Sequence, residues 1–245
     1  MVPDPLDPPA VATHAALAAA TDPAPAGAAI VVEAFVDFHC QYSYRVVAWL
    51  DDLGPEHVTV RHHLFAIEQV NRDATGMDWR LWDQPLDYRH WKDIPEKRPL
   101  LPFMAMAIVE ASEPAQVARD FRLSLYMAKF DFGKDISDID VVEVAGRMSG
   151  VAEGRLRAAI ADPAESAAAR ASIQADFRLA RSEYEIFGVP TLRLNGDRPM
   201  YLRLAGMVPV EDGPRLLQTL LAVRSGPPEI LELKLPDPVA PAWPA

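Results

Sequence analysis

The single cysteine of this 245-residue chain, Cys40, lies between two segments of different periodicity. The apolar run Ile30 to Val36 before it predicts a strand, and the run Tyr44 to Leu53 after it predicts a helix. The first amides of a helix lack internal partners and carry the positive end of its dipole, so a thiolate is favoured there. A pKa lowered from about 8.5 towards neutrality would make Cys40 an effective nucleophile.

Four residues near Cys40 are candidates for tuning its reactivity. Ser43 follows at Cys-x-x-Ser spacing, one helical turn along, where its hydroxyl is able to donate a hydrogen bond to the sulfur. A protonated His39 would stabilise the thiolate, and a buried Asp37, or Glu33 before it, would exchange a proton with the thiol. The alternative interpretations stay open: lone cysteines are often small buried hydrophobes, and these acids are equally typical of solvated or helix-capping positions.

A second motif lies near the other end of the chain. The sequence Phe187-Gly188-Val189-Pro190-Thr191 leads into a short apolar run that ends at Leu194. Asn195-Gly196 follows, a dipeptide typical of tight turns between antiparallel strands. A proline at the entrance of a strand cannot donate to a ladder, so its position calls for a specific reason.

Together the two motifs resemble the DsbA-type branch of the thioredoxin superfamily. They are Val36 to Tyr44 (Val-Asp-Phe-x-Cys-x-Tyr-x-Tyr) and Phe187 to Thr191, and the resemblance covers Ile30 to Val223. The branch includes FrnE-like oxidoreductases, 2-hydroxychromene-2-carboxylate isomerases and kappa-class glutathione transferases. The resemblance implies a thioredoxin-like α/β fold with a helical insertion.

The resemblance also implies what surrounds the thiol. Pro190 is expected to be cis and to lie beside Cys40, with the Val189 backbone exposed for pairing with an extended substrate or thiol peptide. Gln41 and Tyr42 are expected to contribute to substrate or thiol binding.

Two positions depart from the usual pattern of this branch. Ser43 stands where the second cysteine of Cys-x-x-Cys is usual, and Gln41 stands where a proline is usual. With one cysteine the chain closes no internal disulfide, so any disulfide forms with another molecule. We therefore expect a monothiol thiol–disulfide oxidoreductase, with Cys40 as nucleophile and Ser43 as hydrogen-bond donor to its thiolate.

The expected reaction passes through a mixed disulfide with a low-molecular-weight thiol or a protein thiol. No cofactor is expected to be tightly bound, and glutathione or mycothiol would act as co-substrate. One alternative is a glutathione- or mycothiol-dependent isomerase or transferase, in which Cys40 holds or activates the cofactor thiol. A second alternative is a redox-inactive thioredoxin-fold binding protein.

Composition restricts the partners. The chain has a formal net charge of -11 and no basic run, which argues against nucleic acid and against an anionic membrane surface. His57, His62 and His63 do not predict a metal site, because alternation along a strand directs His62 and His63 to opposite faces. No targeting segment is recognised near Met1, so we expect a cytoplasmic protein; whether it forms a homodimer stays open.

The expected organisation has a Pro- and Ala-rich, disordered leader at residues 1–27 and a thioredoxin-like domain at residues 28–73 and 187–225. A helical insertion occupies residues 74–186, and its aromatic and cationic stretch from Trp79 to Trp91 is expected to pack on the core or line a pocket. A Pro-rich tail, in which Ile230 to Leu233 is expected to dock, covers residues 226–245.

Within this organisation, periodicity and turn signals predict individual elements. The predicted strands are Ile30 to Phe35, Val58 to Phe65, Thr191 to Leu194 and Met200 to Leu204. The predicted helices are Ser43 to Leu53, Pro102 to Ala111, Pro114 to Phe130, Asp138 to Met148 with Ser137 as N-cap, Ala152 to Ile160, Pro163 to Ile186 and Glu211 to Arg224.

Overall fold

The computed structural model describes residues 29–76, 78–86, 88 and 100–226. The predicted leader at residues 1–27 lies outside these residues, as does the tail beyond Gly226, including Ile230 to Leu233. The segment from Arg89 to Trp91, the end of the aromatic and cationic stretch, also lies outside them.

A four-stranded mixed sheet in the order β2-β1-β3-β4 forms the centre of the fold. Strand β1 (Ile30–Val36) pairs in parallel with β2 (Val58–Leu64), as a strand–helix–strand unit requires. Strand β3 (Thr191–Leu194) runs antiparallel to β1, and β4 (Met200–Tyr201) runs antiparallel to β3. The predicted thioredoxin-like α/β fold is confirmed.

Helices surround this sheet. They are α1 (Gln41–Leu53), α2 (Ile67–Asp73), α3 (Leu101–Ser112), α4 (Ala115–Phe130), α5 (Ile139–Met148), α6 (Arg155–Ala161), α7 (Pro163–Arg178) and α8 (Gly213–Arg224). Short 3-10 turns cover Leu81–Asp83 and Val210–Asp212, and one π-helical turn, Leu179–Glu183, extends α7.

Two predicted helix starts were wrong for local chemical reasons. Asp138, not Ser137, caps α5, because its carboxylate accepts a hydrogen bond from the Asp140 N–H while Ser137 is bonded to Asp135. Helix α6 begins at Arg155 rather than at residue 152, because Gly154 at φ 75° breaks the helical geometry before it.

Two predicted ends also differ, and one helix was missed. The long helix ends at Arg178 instead of Ile186, where the chain changes to the π-helical turn. Strand β4 ends at Tyr201 instead of Leu204. Leu202 N–H bonds to the Pro190 carbonyl at 3.0 Å, but proline has no N–H with which to continue the ladder. Helix α2 was not predicted.

The helical insertion and the sheet share one continuous apolar core. Phe38, at the end of β1, contacts Phe103 of α3 and Tyr126 of α4, with ring centroids 5.6 and 5.0 Å apart. All three side chains are fully buried or nearly so. The segment that follows β1 is therefore held between the sheet and two helices of the insertion.

We predict that His62 makes the protein sensitive to acid. Burial, with the charges of Arg122 and His63, holds the pKa of His62 well below its usual range. In the unfolded chain His62 binds a proton near pH 6.5, whereas in the folded chain it does not. The contribution of neutral His62 to the free energy of unfolding is therefore fully present above that pH. It is lost as pH falls through the lower folded pKa. His62→Leu will flatten the decline in unfolding free energy below about pH 6.5.

The measurement is denaturant unfolding at a series of pH values. The exposed His57 provides the matched control, and His57→Gln will leave the decline unchanged. A decline of equal slope in His62→Leu and in the unsubstituted protein would assign the acid sensitivity to other groups.

Candidate active site

Asp37 organises the turn between β1 and α1. Its buried carboxylate accepts the His39 N–H at 2.7 Å through Oδ1 and the Ile67 N–H at 2.8 Å through Oδ2. Its carbonyl oxygen accepts the Cys40 N–H at 3.1 Å and the Tyr126 hydroxyl at 3.2 Å. One residue thus fixes the thiol turn, the start of α2 and a contact with α4.

The structure brings the two sequence motifs together at Cys40. This residue is the N-cap of α1, with extended backbone angles of φ -104° and ψ 112°. Its half-buried thiol donates a hydrogen bond to the Val189 carbonyl oxygen, with Sγ and O 3.6 Å apart. The Val189–Pro190 peptide bond is cis. The thiol and the predicted substrate-pairing segment are therefore neighbours although 149 residues separate them. Val189 is buried in this arrangement, whereas the sequence analysis expected an exposed segment.

Ser43 is fully buried beneath the thiol turn. Its hydroxyl oxygen accepts the Asp37 backbone N–H at 3.2 Å. Hydrogen bonding from the Ser43 backbone and side chain to the sulfur favours the thiolate and acts to lower the pKa of Cys40. Ser43 consequently links the thiol to the same turn that Asp37 holds.

The thiol is not activated at rest, in contrast to the expectation from its position at a helix N-terminus. Burial is the largest influence and raises the pKa of Cys40, and the negative charge of Asp37 raises it further. Hydrogen bonding from Ser43 and from the Tyr42 backbone acts in the opposite direction without reversing the shift. Cys40 is therefore a protonated thiol at neutral pH.

Two of the suggested tuning residues have their own local contacts. His39 is buried, with its ring 6.1 Å from that of Phe103. Glu33 forms an ion pair with Arg193 on β3 and lies 3.6 Å from Nε2 of His63. The carboxylate of Glu33 thus belongs to a charged cluster on the sheet, whereas Asp37 lies at the thiol turn.

The entrance of the site combines residues of the two motifs with two side chains that the motifs did not indicate, Tyr201 and Arg203. Gln41 is exposed, and the half-buried Tyr42 ring lies 4.2 Å from the guanidinium of Arg203, which donates a hydrogen bond to its hydroxyl. Phe187 is 68% exposed, and its ring lies 5.5 Å from that of Tyr201. Phe187 belongs to the second motif, so the sequence indicated one side of this surface, whereas no local pattern indicated Tyr201 or Arg203.

Neither a metal centre nor a membrane span is found within the part of the chain that the structure describes. There, no three His, Cys, Asp or Glu side chains are grouped so as to hold an ion. Among those same residues, no helix combines the length and the apolar sequence that a bilayer crossing requires.

Comparison with known proteins assigns the chain to a family. The model of the DSBA-like thioredoxin domain matches residues 31–219, which include Cys40, Pro190 and the whole helical insertion between them. The chain belongs to the DSBA-like thioredoxin domain family. No curated protein matches it by sequence.

Solved structures share the fold of this DSBA-like chain at low identity. A probable DsbA oxidoreductase from Streptomyces coelicolor is 17% identical with a TM-score of 0.53, covering 85% of this chain and 94% of its own. The cytosolic disulfide reductase DsbM from Pseudomonas aeruginosa, solved with GSH, is 19% identical with a TM-score of 0.52, covering 78% and 99%. A 2-hydroxychromene-2-carboxylate isomerase is 14% identical with a TM-score of 0.52, covering 79% and 95%.

We predict that Cys40 alkylation will show a midpoint above the ordinary thiol pKa of about 8.5. Ser43→Ala will move the midpoint higher still, because the variant loses a hydroxyl that favours the thiolate. The measurement is the rate of iodoacetamide alkylation as a function of pH, followed by intact-protein mass spectrometry. The exposed Ser172 on α7 supplies the control, and Ser172→Ala will leave the midpoint in place. A midpoint below that of a free thiol, or one that falls in Ser43→Ala, would contradict this account.

Proposed function

We propose that this DSBA-like protein is a monothiol thiol–disulfide oxidoreductase in which Cys40 forms a mixed disulfide with its substrate. The observation that carries the proposal is the contact between the Cys40 thiol and the Val189 carbonyl, 3.6 Å apart, beside Pro190. A partner sulfur bound along this backbone segment would lie against the one thiol of the chain.

The proposed exchange needs no oxidant or reductant beyond the two sulfur compounds. Cys40 loses its proton to solvent, and its thiolate attacks one sulfur of the substrate disulfide. One S–S bond forms at Cys40 while the substrate S–S bond breaks, and the second substrate sulfur leaves as a thiolate. An external thiolate then attacks the substrate sulfur of the mixed disulfide and forms a new S–S bond with it. The S–S bond to Cys40 breaks and Cys40 leaves as a thiolate, since Ser43 supplies no second sulfur.

The raised pKa of Cys40 favours reduction of substrate disulfides over their formation. Thiol–disulfide oxidoreductases that are strong oxidants owe their high reduction potential to a stabilised thiolate in the reduced protein. Here burial and the Asp37 charge destabilise the thiolate, so its conversion to a disulfide is comparatively favourable. At neutral pH a small thiolate fraction slows the attack, and the higher intrinsic nucleophilicity of a basic thiolate offsets this only in part.

Glutathione or mycothiol is the proposed resolving thiol, and the cytoplasm is the proposed compartment. Two observations support this choice. A chain whose only cysteine is a working thiol suits a reducing compartment. A neighbour by fold, DsbM, is named a cytosolic disulfide reductase and was solved with GSH.

A thiol-dependent isomerase or transferase is the second candidate. The protonated state of Cys40 favours it, because a thiol that donates to the Val189 carbonyl would equally donate to the sulfur of a bound cofactor. In that reaction Cys40 holds the cofactor thiol without forming a bond to it. Cys40→Ser separates the two candidates, since a hydroxyl replaces the donor but not the nucleophile.

We predict that the protein reduces a glutathionylated peptide with glutathione as resolving thiol, and that Cys40→Ser abolishes this turnover. A matched control is the double variant Cys40→Ser/Ser172→Cys, which keeps one thiol per chain but moves it to an exposed position on α7. The unsubstituted protein will exceed this control by about tenfold or more, because its thiol lies beside the backbone segment that we propose pairs with the substrate.

The measurement is the release of free peptide thiol, with intact mass spectrometry of the mixed disulfide. Equal rates for the protein and the relocated thiol would reject the oxidoreductase proposal. Turnover of a thiol-dependent isomerisation that survives Cys40→Ser would support the second candidate instead. Absence of both activities would support a redox-inactive binding protein.

A further inference from the structure

A cationic and aromatic rim borders the Cys40 thiol. We define this rim as Tyr42, Arg45, Phe187, Tyr201 and Arg203. The guanidinium groups of Arg203 and Arg45 lie 4.2 and 5.3 Å from the centroid of the Tyr42 ring. Arg203 also donates to the Tyr42 hydroxyl, and Arg45 donates to the Leu204 carbonyl at 2.7 Å. Two positive charges are thereby held at one tyrosine.

The backbone places this rim at the reacting sulfur. Tyr42 follows Cys40 by two residues in the first turn of α1. On the other side, Tyr201 is paired with Thr191, and the Leu202 N–H bonds to the Pro190 carbonyl at 3.0 Å. The rim residues of β4 and its extension therefore lie alongside the Val189–Pro190 segment that accepts the thiol hydrogen bond.

The electrostatics of Tyr201 agree with this placement. Burial raises the pKa of Tyr201, the charge of Arg203 lowers it, and a charge on Cys40 or Tyr42 raises it. The phenol thus interacts with the thiol and with the guanidinium. Tyr201 lies between the charged part of the rim and its exposed phenylalanine, whose ring centroid is 5.5 Å away.

The charge of the rim is opposite to that of the chain. The chain has a formal net charge of -11, whereas two guanidinium groups lie over the ring of Tyr42, two residues from Cys40. Arginine stacked on an aromatic ring is positioned in advance, so it loses less conformational entropy when it binds a planar anion. Guanidinium groups bind carboxylates with two parallel hydrogen bonds, which fixes the orientation of the ligand as well as its position.

Resting on the proposed function, we infer that the rim selects thiols and disulfides that carry a carboxylate near an apolar or aromatic group. Arg203, stacked on Tyr42, binds the carboxylate, and the Phe187–Tyr201 pair contacts the apolar group. The sulfur of such a ligand lies against Cys40 between these two contacts. In the exchange, the Cys40 thiolate forms one S–S bond, the ligand S–S bond breaks, and the departing half leaves as a thiolate.

The test uses two aromatic disulfides that differ in charge. Dithiobis(nitrobenzoate) carries a carboxylate on each ring, whereas dithiodipyridine is uncharged, and both release a coloured thione or thiolate on reaction with Cys40. Arg203→Gln will slow the reaction of the anionic reagent about three- to tenfold and leave that of the neutral reagent within about twofold. Added salt will reduce the rate for the anionic reagent selectively.

The control is Arg157→Gln, which removes another exposed arginine from the helical insertion, where it pairs with Asp140. It will leave both rates unchanged. A second variant, Tyr201→Ala, will slow both reagents, because both carry an aromatic ring. Thermal unfolding of each variant shows whether the fold is kept.

Three outcomes would overturn the inference. Equal slowing of both reagents by Arg203→Gln would show that the arginine positions the thiol turn and does not recognise charge. If Arg203→Gln reacts with each reagent at the same rate as the unsubstituted protein, the rim selects nothing. If neither reagent modifies Cys40 in the unsubstituted protein, the oxidoreductase proposal itself is rejected, and this inference with it.

Discussion

The hydrogen bonds of the buried Asp37 carboxylate are the constraint on which the site depends. A carboxylate that is 1% exposed needs donors for its oxygens, and it takes backbone N–H groups from His39 and Ile67. These bonds turn the chain sharply after β1, so that Cys40 caps α1 and meets the Val189 carbonyl. The same carboxylate fixes the first residue of α2, so the thiol turn and the next connection form one unit.

The buried Asp37 carboxylate also affects the electrostatics of the thiol. A helix N-terminus favours a thiolate, but here the sulfur is half-buried and lies near the negative charge of Asp37. Removing that carboxylate would leave the backbone N–H groups that donate to it without an acceptor. Desolvation is the larger effect, and the hydrogen bonds from Ser43 and Tyr42 reduce the shift without reversing it. The architecture therefore supplies position and orientation to Cys40 rather than activation.

The sequence predicted the parts of the site that depend on local patterns. Strand β1, helix α1 and the Val189–Pro190 segment carry such patterns, and the structure places them together. Helix α2 was not predicted because it has only seven residues and its first amide bonds to Asp37, 30 residues away. The contact between Arg203 and Tyr42 spans 161 residues and depends on where β4 ends, so no local signal indicates it. The raised pKa of Cys40 likewise depends on burial, which cannot be predicted from the residues next to it in the sequence.

Serine at position 43 suits a site of this kind. In a dithiol enzyme the second cysteine attacks the mixed disulfide from within, which requires a reactive side chain near the first sulfur. Ser43 is instead fully buried, and its hydroxyl accepts the Asp37 N–H while supporting the thiolate. The mixed disulfide proposed at Cys40 would therefore last until an external thiol arrives. Under the proposed function the rim of Tyr42, Arg203 and Tyr201 would contact this thiol as well as the substrate disulfide, so recognition at the rim would affect the resolving step and the first attack alike.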